Sequence, residues 1–525
     1  MTSDRLAALR SRKEAQSSDN TRAIDGEEIL VGVDVLELVS SAMYVDPMTI
    51  YREYVQNAAD AIDEARGRGL LGADQPGLVE ISLDSSTRSI RIRDNGSGIE
   101  SADFVRRLAA LGASKKRGTT ARGFRGVGRL AGLGYAQELI FRSRATGEDL
   151  VSELCWDCRK LKTALRSGEA KGDVADLISG IASFRLVDPI DQPERFFEVE
   201  LKGVVRLRSD RLMSPAAVVE YLSQVAPVPF SPDFSFGEQI AARLRTHLEL
   251  GELEIRVTGL DGIICRPHHD GLAADVGKPV SFDSVEFVEV PSIDGGIAGV
   301  GWILHHDYEG AIPTELQIKG FRVRSGNIQI GDNTLLEELF PEPRFNAWTI
   351  GELHVIDRRI VPNGRRDNFE QNAHFNNLVN HLVPAARGIA RRCRTNSVRR
   401  KWLREFELQT VAAREQLDII AQAGISGADR NQIALGVEQS LLKMEKIAKI
   451  DLVSSDGEAL NITIEAVRSE LAQLMRDEVR EASPLIRLPA EKREMYQHLF
   501  GLIYECSTNR TAAKALVDRI LLKLS

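Results

Sequence analysis

Three polar side chains recur along one face of a predicted helix near the start of the sequence. Glu53, Asn57 and Asp60 lie in the stretch YREYVQNAADAIDEA, which contains neither glycine nor proline. Apolar residues repeat there at helical spacing, so the segment predicts an amphipathic helix. Asn57 could serve as an oxygen ligand for a hydrated divalent cation, and Glu53, one turn away, could take a proton from an attacking water. Alone, the same row could be a solvated polar stripe.

A glycine-flanked aspartate follows about 40 residues later. The residues SIRIR alternate like a half-buried strand, and the strand ends at the sequence DNGSG, residues 94 to 98. Gly96 and Gly98 allow a positive φ and the close approach of a flat ligand. Asp94 can accept a hydrogen bond from an exocyclic amine such as that of adenine. An ordinary turn would have the same composition.

A third motif is the glycine-rich run GFRGVGRLAGLG, which contains Gly123, Gly126 and Gly128 and follows the sequence GASKK. Its backbone amides could point at phosphate oxygens, and the segment after it begins like a helix, with the positive end toward an anion. The run lacks the GKS or GKT ending of a P-loop. Its spacing also differs from that of a dinucleotide fingerprint.

In this order, the three motifs resemble the GHKL ATPase superfamily, which includes DNA gyrase B, the ninety-kilodalton heat-shock chaperones, histidine kinases and the mismatch-repair clamps. The resemblance implies that the chain binds ATP and Mg²⁺ in a Bergerat two-layer α/β sandwich. It implies Glu53 as the general base, Asn57 as the magnesium ligand and Asp94 as the residue that binds the adenine amine. Other implied positions line the adenine and the phosphates, belong to a lid or support the metal: Asp60, Gly96, Gly98, Ser114, Lys115, Gly123, Gly126 and Gly128.

A second resemblance lies further along the chain. The stretch FNAWTIGELHVIDRRIVPNGRRDNFE is similar to the middle domain of the heat-shock chaperones, in which an arginine reaches the nucleotide site from a second domain. By position, this implies roles for Asn363 and Arg366, and an arginine delivered in this way stabilises charge on the transferred phosphoryl group. Arg365 and Lys319 are alternative candidates. The two adjacent arginines could also be ordinary surface charge.

The sequence departs from the superfamily at two places. The family's late strand carries a Gly-Thr pair, whereas the matching strand here, RFFEVEL at 195 to 201, has none. The residue after Gly128 is Arg129, where the chaperones tend to carry an aromatic residue. We therefore expect a divergent relative.

Periodicity and turn signals predict a multidomain α/β (α+β) protein. We expect a mobile segment at 1–25, an ATP-binding domain at 26–230 and a mixed α/β middle domain at 235–385. Strands at Leu253–Val257 and Val300–Leu304 should belong to the middle domain. The sequence from 386 to 525 predicts helices, with apolar residues at spacings of three and four, which could form a dimerisation module.

Composition limits the classes of function. The chain has 525 residues, with 68 basic against 76 acidic side chains and a net charge of −8. It has no apolar run of membrane-spanning length and no signal-peptide core near its start, so we expect a cytoplasmic protein. The five cysteines are too scattered for a disulfide framework, and the CWDC pair lacks nearby ligands that would complete a zinc site.

The resemblance to the heat-shock chaperones implies a dimeric, ATP-hydrolysing conformational clamp that acts on protein clients. The alternative is an ATP-gated clamp that acts on DNA in repair or bacterial defence. A run of arginines between 387 and 404 could track phosphates, or it could face solvent or an acidic partner, which the acidic balance of the chain favours. A kinase is disfavoured, because only a short polar segment precedes the ATP-binding motifs.

Overall fold

The computed structural model describes residues 46–72, 74–109, 128–167, 174–270, 273–275, 278–279, 281–422, 424–476 and 483–524. Ser114, Lys115, Gly123, Gly126 and the segment 1–25 lie outside these residues. The chain divides into two compact units. The first runs to His305 and includes 312–339 and 349–382, and the second combines 306–311 and 340–348 with the chain from Val383 onward.

The predicted polar helix is the first described element. It is α1, Thr49–Gly67, and its apolar side packs into the main core of the first unit. Tyr51 on this face is fully buried and donates a hydrogen bond to the carbonyl of Leu212 at 2.6 Å. The helix is thus held by its apolar face, which leaves the row of polar residues in a defined orientation.

The first sheet has seven strands in the order β5-β4-β3-β6-β2-β1-β7. The strand that ends at Asp94 is β2, and it pairs antiparallel with β1 and β6. The strands are β1 Gly77–Asp84, β2 Ser89–Asp94, β3 Glu138–Arg144, β4 Val151–Asp157, β5 Ala182–Val187, β6 Phe196–Lys202 and β7 Leu253–Val257.

Strand β7 corrects our assignment of Leu253–Val257 to the middle domain. It pairs in parallel with β1, with Val79 opposite Ile255, and forms the edge of the first sheet. The reason is its alternation, which buries Leu253, Ile255 and Val257 in the same core as α1. The first sheet therefore extends beyond residue 230, where we expected the domain to end.

The second sheet has five strands in the order β10-β11-β14-β12-β13. Strands β12 and β14 run parallel, and β12 forms a tight hairpin with β13. The predicted strand Val300–Leu304 lies within β11. The strands are β10 Phe282–Pro291, β11 Ile297–His306, β12 Gly320–Ser325, β13 Ile328–Ile330 and β14 Ile350–Val355, and a separate pair is formed by β8 Ala273–Asp275 and β9 Lys278–Pro279.

Helices accompany both sheets and form the rest of the second unit. Those of the first unit are α2 Ser101–Ala109, α3 Cys158–Ser167, α4 Val174–Ile181, α5 Pro215–Val225 and α6 Gly237–Arg245. The C-terminal helices are α7 Ala373–Ala421, α8 Gly427–Ala448, α9 Gly457–Met475, α10 Ala490–Cys506 and α11 Arg510–Leu524. The mixed α/β fold followed by a helical region is confirmed. Within the described residues, no helix is both long and apolar enough to span a membrane.

Candidate active site

The polar row of α1 points into the first unit rather than along a solvated surface. Glu53 is 5% exposed and Asp60 is 8% exposed, whereas Asn57 between them is half-buried. Burying a carboxylate is costly unless partners compensate for its lost hydration, so a buried glutamate indicates a specific environment. The half-buried Asn57 amide is the member of the row that is open to a ligand from outside the protein.

The last glycine of the predicted phosphate loop lies against Glu53. Gly128 begins a short 3₁₀ helix, Gly128–Gly134, and a Cβ atom at this position would collide with Glu53 Oε2. The Tyr54 hydroxyl fastens the two segments, since it donates to the Arg129 carbonyl at 3.2 Å and accepts from Gly132 N at 2.9 Å. The first and third sequence motifs therefore meet at one carboxylate.

The aspartate motif packs on the same helix about two turns beyond Glu53, at Ala61. Ser97 N donates to the Ala61 carbonyl at 3.0 Å, and a Cβ atom at Gly96 would lie 2.7 Å from the Ala61 Cβ. Gly98 has a φ of 67°, and a side chain there would collide with the Arg144 carbonyl. Gly96 thus lets the loop approach α1, and Gly98 lets it approach the end of β3.

Asp94 is held at the end of β2 with its side chain buried. Its Oδ1 accepts a hydrogen bond from Gly96 N at 2.9 Å. Burial raises the pKa of Asp94 from 3.8 to about 7, although the Gly96 amide and the charge of Arg195 act in the opposite direction. A buried acceptor with a raised pKa at a glycine turn is typical of a ligand-binding position.

Arg366, about 300 residues further along the chain, lies close to Glu53. Arg366 follows the turn after Pro362, has a φ of 58° and places its Nε 3.7 Å from Glu53 Oε1. Arg52, the neighbour of Glu53 on α1, places Nη2 3.3 Å from the same oxygen and also donates to the Arg365 carbonyl at 3.2 Å. Two guanidinium groups thus compensate the buried carboxylate.

The other candidates from this region are placed differently. The side chain of Arg365 is exposed, and Lys319 donates to Thr314 Oγ1 at 3.3 Å. Asn363 shapes the turn, because its Nδ2 donates to Asp367 Oδ1 at 2.6 Å and its carbonyl accepts from Arg366 N at 3.2 Å. Of the three cations proposed from the sequence, Arg366 is the one that the structure brings to Glu53.

The two departures from the superfamily also have structural positions. In the register between β2 and β6, Phe197 lies opposite Asp94, and β6 carries no Gly-Thr pair. Arg129 is half-buried, and burial lowers its pKa to about 10. These residues give the site a different wall while its acidic and glycine positions stay in place.

Sequence reasoning missed Arg52 and Tyr54 as site residues. Arg52 directly precedes Glu53 and Tyr54 directly follows it. Neighbours in sequence on a helix normally point to different sides of it. Helical spacing places Tyr54 on the apolar side of α1, which is correct for its buried ring, but its hydroxyl bonds to the backbone of Arg129 and Gly132. The pattern that could have indicated Arg52 is its position beside Glu53, on a side of the helix that is otherwise apolar.

Comparison with known proteins agrees with this arrangement. Residues 47–171 match the family described as histidine kinase-, DNA gyrase B-, and HSP90-like ATPase. The first domain is a divergent GHKL-type ATPase domain. The chain is also similar to the chaperone protein HtpG of Polaromonas naphthalenivorans, with 24% identity over 200 residues, and to that of Idiomarina loihiensis, with 26% identity over 213 residues.

These similarities cover only part of each protein. The match to the Polaromonas protein spans 34% of this chain and 30% of the relative, and the match to the Idiomarina protein spans 38% and 32%. The chain thus matches about a third of the length of these curated relatives. The similarity places the GHKL domain in a family and leaves the activity of the whole protein to be proposed.

The pKa of Asp94 generates a prediction about stability and binding. Because the folded protein favours protonated Asp94, the stability present at low pH is lost as the pH rises through about 7. Asp94→Asn, which mimics the neutral form, should raise the thermal midpoint of the nucleotide-free protein at pH 8 by about 2 °C or more, and this gain should shrink toward pH 5. Thermal melts across this pH range measure the effect.

The same variant should bind ATP more weakly by about 1–3 kcal/mol. If the Asn oxygen keeps the hydrogen bond from Gly96 N, its NH2 group faces the adenine amine, which needs an acceptor. For the thermal melts, Asp84→Asn is a control that should change the thermal midpoint in the opposite direction. Hydrogen bonds from Ser86 and Thr87 lower the pKa of Asp84 to about 2, so its charge stabilises the fold above that pH. Unchanged ATP affinity of Asp94→Asn in a calorimetric titration would place the adenine elsewhere.

The contact between Gly128 and Glu53 generates a second prediction. Gly128→Ala should displace the carboxylate and lower ATP turnover by at least about tenfold, because small misplacements of a catalytic group are costly. Gly180→Ala is the matched control, since nothing lies within 4 Å of a Cβ atom there. Phosphate release by both variants tests this, and equal turnover would show that Glu53 is not constrained by Gly128.

Proposed function

We propose that the protein binds ATP with Mg²⁺ in its GHKL domain and hydrolyses it. The residues present fit this ligand: Asp94 is a buried acceptor for the adenine amine, and Gly96 and Gly98 let the loop after it pack closely against Ala61 and the Arg144 carbonyl. Asn57 offers an amide oxygen, the hard ligand that magnesium prefers. When bound, magnesium neutralises phosphate charge and so favours phosphoryl transfer.

Glu53 is the proposed general base. Its carboxylate can accept a proton from a water aligned with the terminal phosphate, and Gly128 fixes its position. The observation that carries the proposal is the meeting of Arg366 and Glu53 with their atoms 3.7 Å apart. A base and a phosphate-binding cation from distant parts of the chain are what hydrolysis requires, whereas a purely structural helix would not need both.

We further propose that hydrolysis drives a dimeric clamp that acts on protein clients in the cytoplasm. Similarity to HtpG chaperones supports this reading. The helical second unit supports it as well, because it leaves large apolar side chains exposed, among them Leu435, Leu442 and Ile462. Several arginines of the basic run are engaged within that unit: Arg394 with Glu342, Arg399 with Asp456 and Arg400 over the ring of Trp348. Arginines engaged in this way favour a protein clamp over the DNA alternative.

Removal of the base tests the proposed reaction. Glu53→Gln should still bind ATP but hydrolyse it at least about 100-fold more slowly, which is the usual contribution of a positioned base. Asp63→Asn, an exposed substitution on the same helix, should keep the wild-type rate. Phosphate release and a binding titration measure the two effects, and wild-type turnover of Glu53→Gln would remove Glu53 from the mechanism.

The arginine is tested separately. Arg366→Ala should leave ATP affinity nearly intact and lower turnover by roughly 100-fold, because the lost contact stabilises charge that develops only in the transition state. Arg365→Ala is the matched control: only the main-chain carbonyl of Arg365 bonds to Arg52, and its side chain is exposed. If the two variants hydrolyse ATP equally well, the role assigned to Arg366 is wrong.

A further inference from the structure

A buried charge cluster lies where strands β12 and β14 of the second sheet meet the C-terminal end of α5. Its centre is Glu352 on β14, which is 1% exposed. Arg324 on β12 places Nε 2.6 Å from Glu352 Oε1, and Arg266 pairs with Oε2. Both arginines are also 1% exposed, so three charges are removed from water together. Such a cluster persists only if its geometry satisfies every charged group.

The arginines hold the end of helix α5. Arg324 donates to the carbonyl of Gln224 at 2.6 Å and to that of Ala226 at 3.2 Å, and Arg266 Nε donates to the carbonyl of Val228 at 3.1 Å. Helix α5 ends at Val225, so these carbonyls continue the negative end of its dipole. The cluster thereby fixes the second sheet to the C-terminal end of α5.

The burial of Glu352 is compensated by these contacts. Burial alone would raise the pKa of Glu352, but Arg266 and Arg324 hold it well below its ordinary value. Burial lowers the pKa of the adjacent His354 to about 4, so this imidazole is neutral near pH 7. The charge of Glu352 is therefore balanced by the arginines that hold α5.

A hydrogen-bonded path leads from the cluster to Arg366. Arg322 Nη1 donates to Gln224 Oε1 and to Gln329 Oε1, each at 3.0 Å. Gln329 lies on β13, and its Nε2 donates to the Gly331 carbonyl at 3.1 Å. Gly331 N donates in turn to the Arg366 carbonyl at 2.8 Å. The β12–β13 hairpin thus connects the end of α5 with the backbone of Arg366.

We propose that this cluster is a latch that positions Arg366 at Glu53, with Glu352 as its anionic centre and Gln329 as its link to the arginine turn. The proposal rests on the proposed ATPase function for its kinetic consequence only. Both residues are positioning residues, because neither contacts Glu53. The rate of ATP turnover would then depend on the contacts between the second sheet and the end of α5.

The test is a double-mutant cycle. Gln329→Leu keeps the volume of the side chain and removes its bonds to Arg322 and Gly331. It should lower turnover by about tenfold with unchanged ATP affinity, because Arg366 is displaced rather than removed. In an Arg366→Ala background, the same substitution should change turnover by less than about twofold, since effects that act through one residue do not add.

Glu352→Gln should show the same non-additivity, and Glu352→Asp should restore part of the rate. If Glu352→Gln does not fold, Gln329→Leu alone decides. Glu153→Gln is the matched control for loss of a buried ion pair: Glu153 is 4% exposed and is bonded by Arg142 at 2.7 Å on the first sheet. It should lower the thermal midpoint without changing turnover.

Hydrogen exchange of the full-length protein without nucleotide supplies a readout that is independent of activity. In Gln329→Leu, the amides of Gly331 and Arg366 should exchange faster, while those of β3 and β6 keep their protection. Unchanged exchange, or a loss of turnover that adds fully to that of Arg366→Ala, overturns the latch. Absence of ATP hydrolysis by the wild type overturns the proposed function and leaves the exchange result to judge the latch.

Discussion

The buried carboxylate of Glu53 is the group that three separate segments of the first unit contact. A charge in this position is costly, and the fold compensates for it with Arg52 from the same helix and Arg366 from a distant turn. The space next to it is left open only by the glycine at 128. Helix α1, the glycine loop and the arginine turn are therefore fixed relative to one another by the need to accommodate one side chain. A mutation in any of the three segments alters the environment of the same two oxygen atoms.

Asp94 shows a different solution to the burial of an acid. Its partners offset only part of the cost of burial, so its pKa remains raised to about 7. Glu352, in contrast, is paired with two arginines, and its pKa is lowered. Glu352 is thus neutralised by two arginines, whereas the hydrogen bond from Gly96 N and the charge of Arg195 compensate only in part for the burial of Asp94. A buried acid with a raised pKa is more typical of a functional position than of a structural ion pair.

The sequence predicted those parts of the site that depend on local pattern. Helix α1 and the strand before Asp94 follow from spacing, and the structure has both in place. Gly98 has the predicted positive φ, whereas the role of Gly96 and Gly98 beside a flat ligand stays a prediction. Arg366 was found only through a resemblance, with Arg365 and Lys319 left as alternatives, because nothing local distinguishes adjacent cations. The arginines of β12 were missed, since RVR alternates as an exposed strand would. Arg324 is buried because it pairs with Glu352 on β14, and the sequence pattern does not show that these two strands are neighbours.

Strand β7 has a consequence for how the protein can be divided. The strand lies after α6, whose Ile240 and Leu244 belong to the core of the second sheet, yet it completes the first sheet beside β1. The chain thus crosses from one core to the other and back. A fragment that stops near residue 230 lacks its edge strand and leaves the backbone groups of β1 open to pairing with other chains. A fragment that extends through Val257 keeps this strand but exposes the apolar face of α6, which packs in the core of the second sheet. During synthesis, some 170 further residues must follow β1 before its parallel neighbour β7 is made. The first sheet therefore cannot be completed until α6, which packs in the core of the second sheet, has been synthesised.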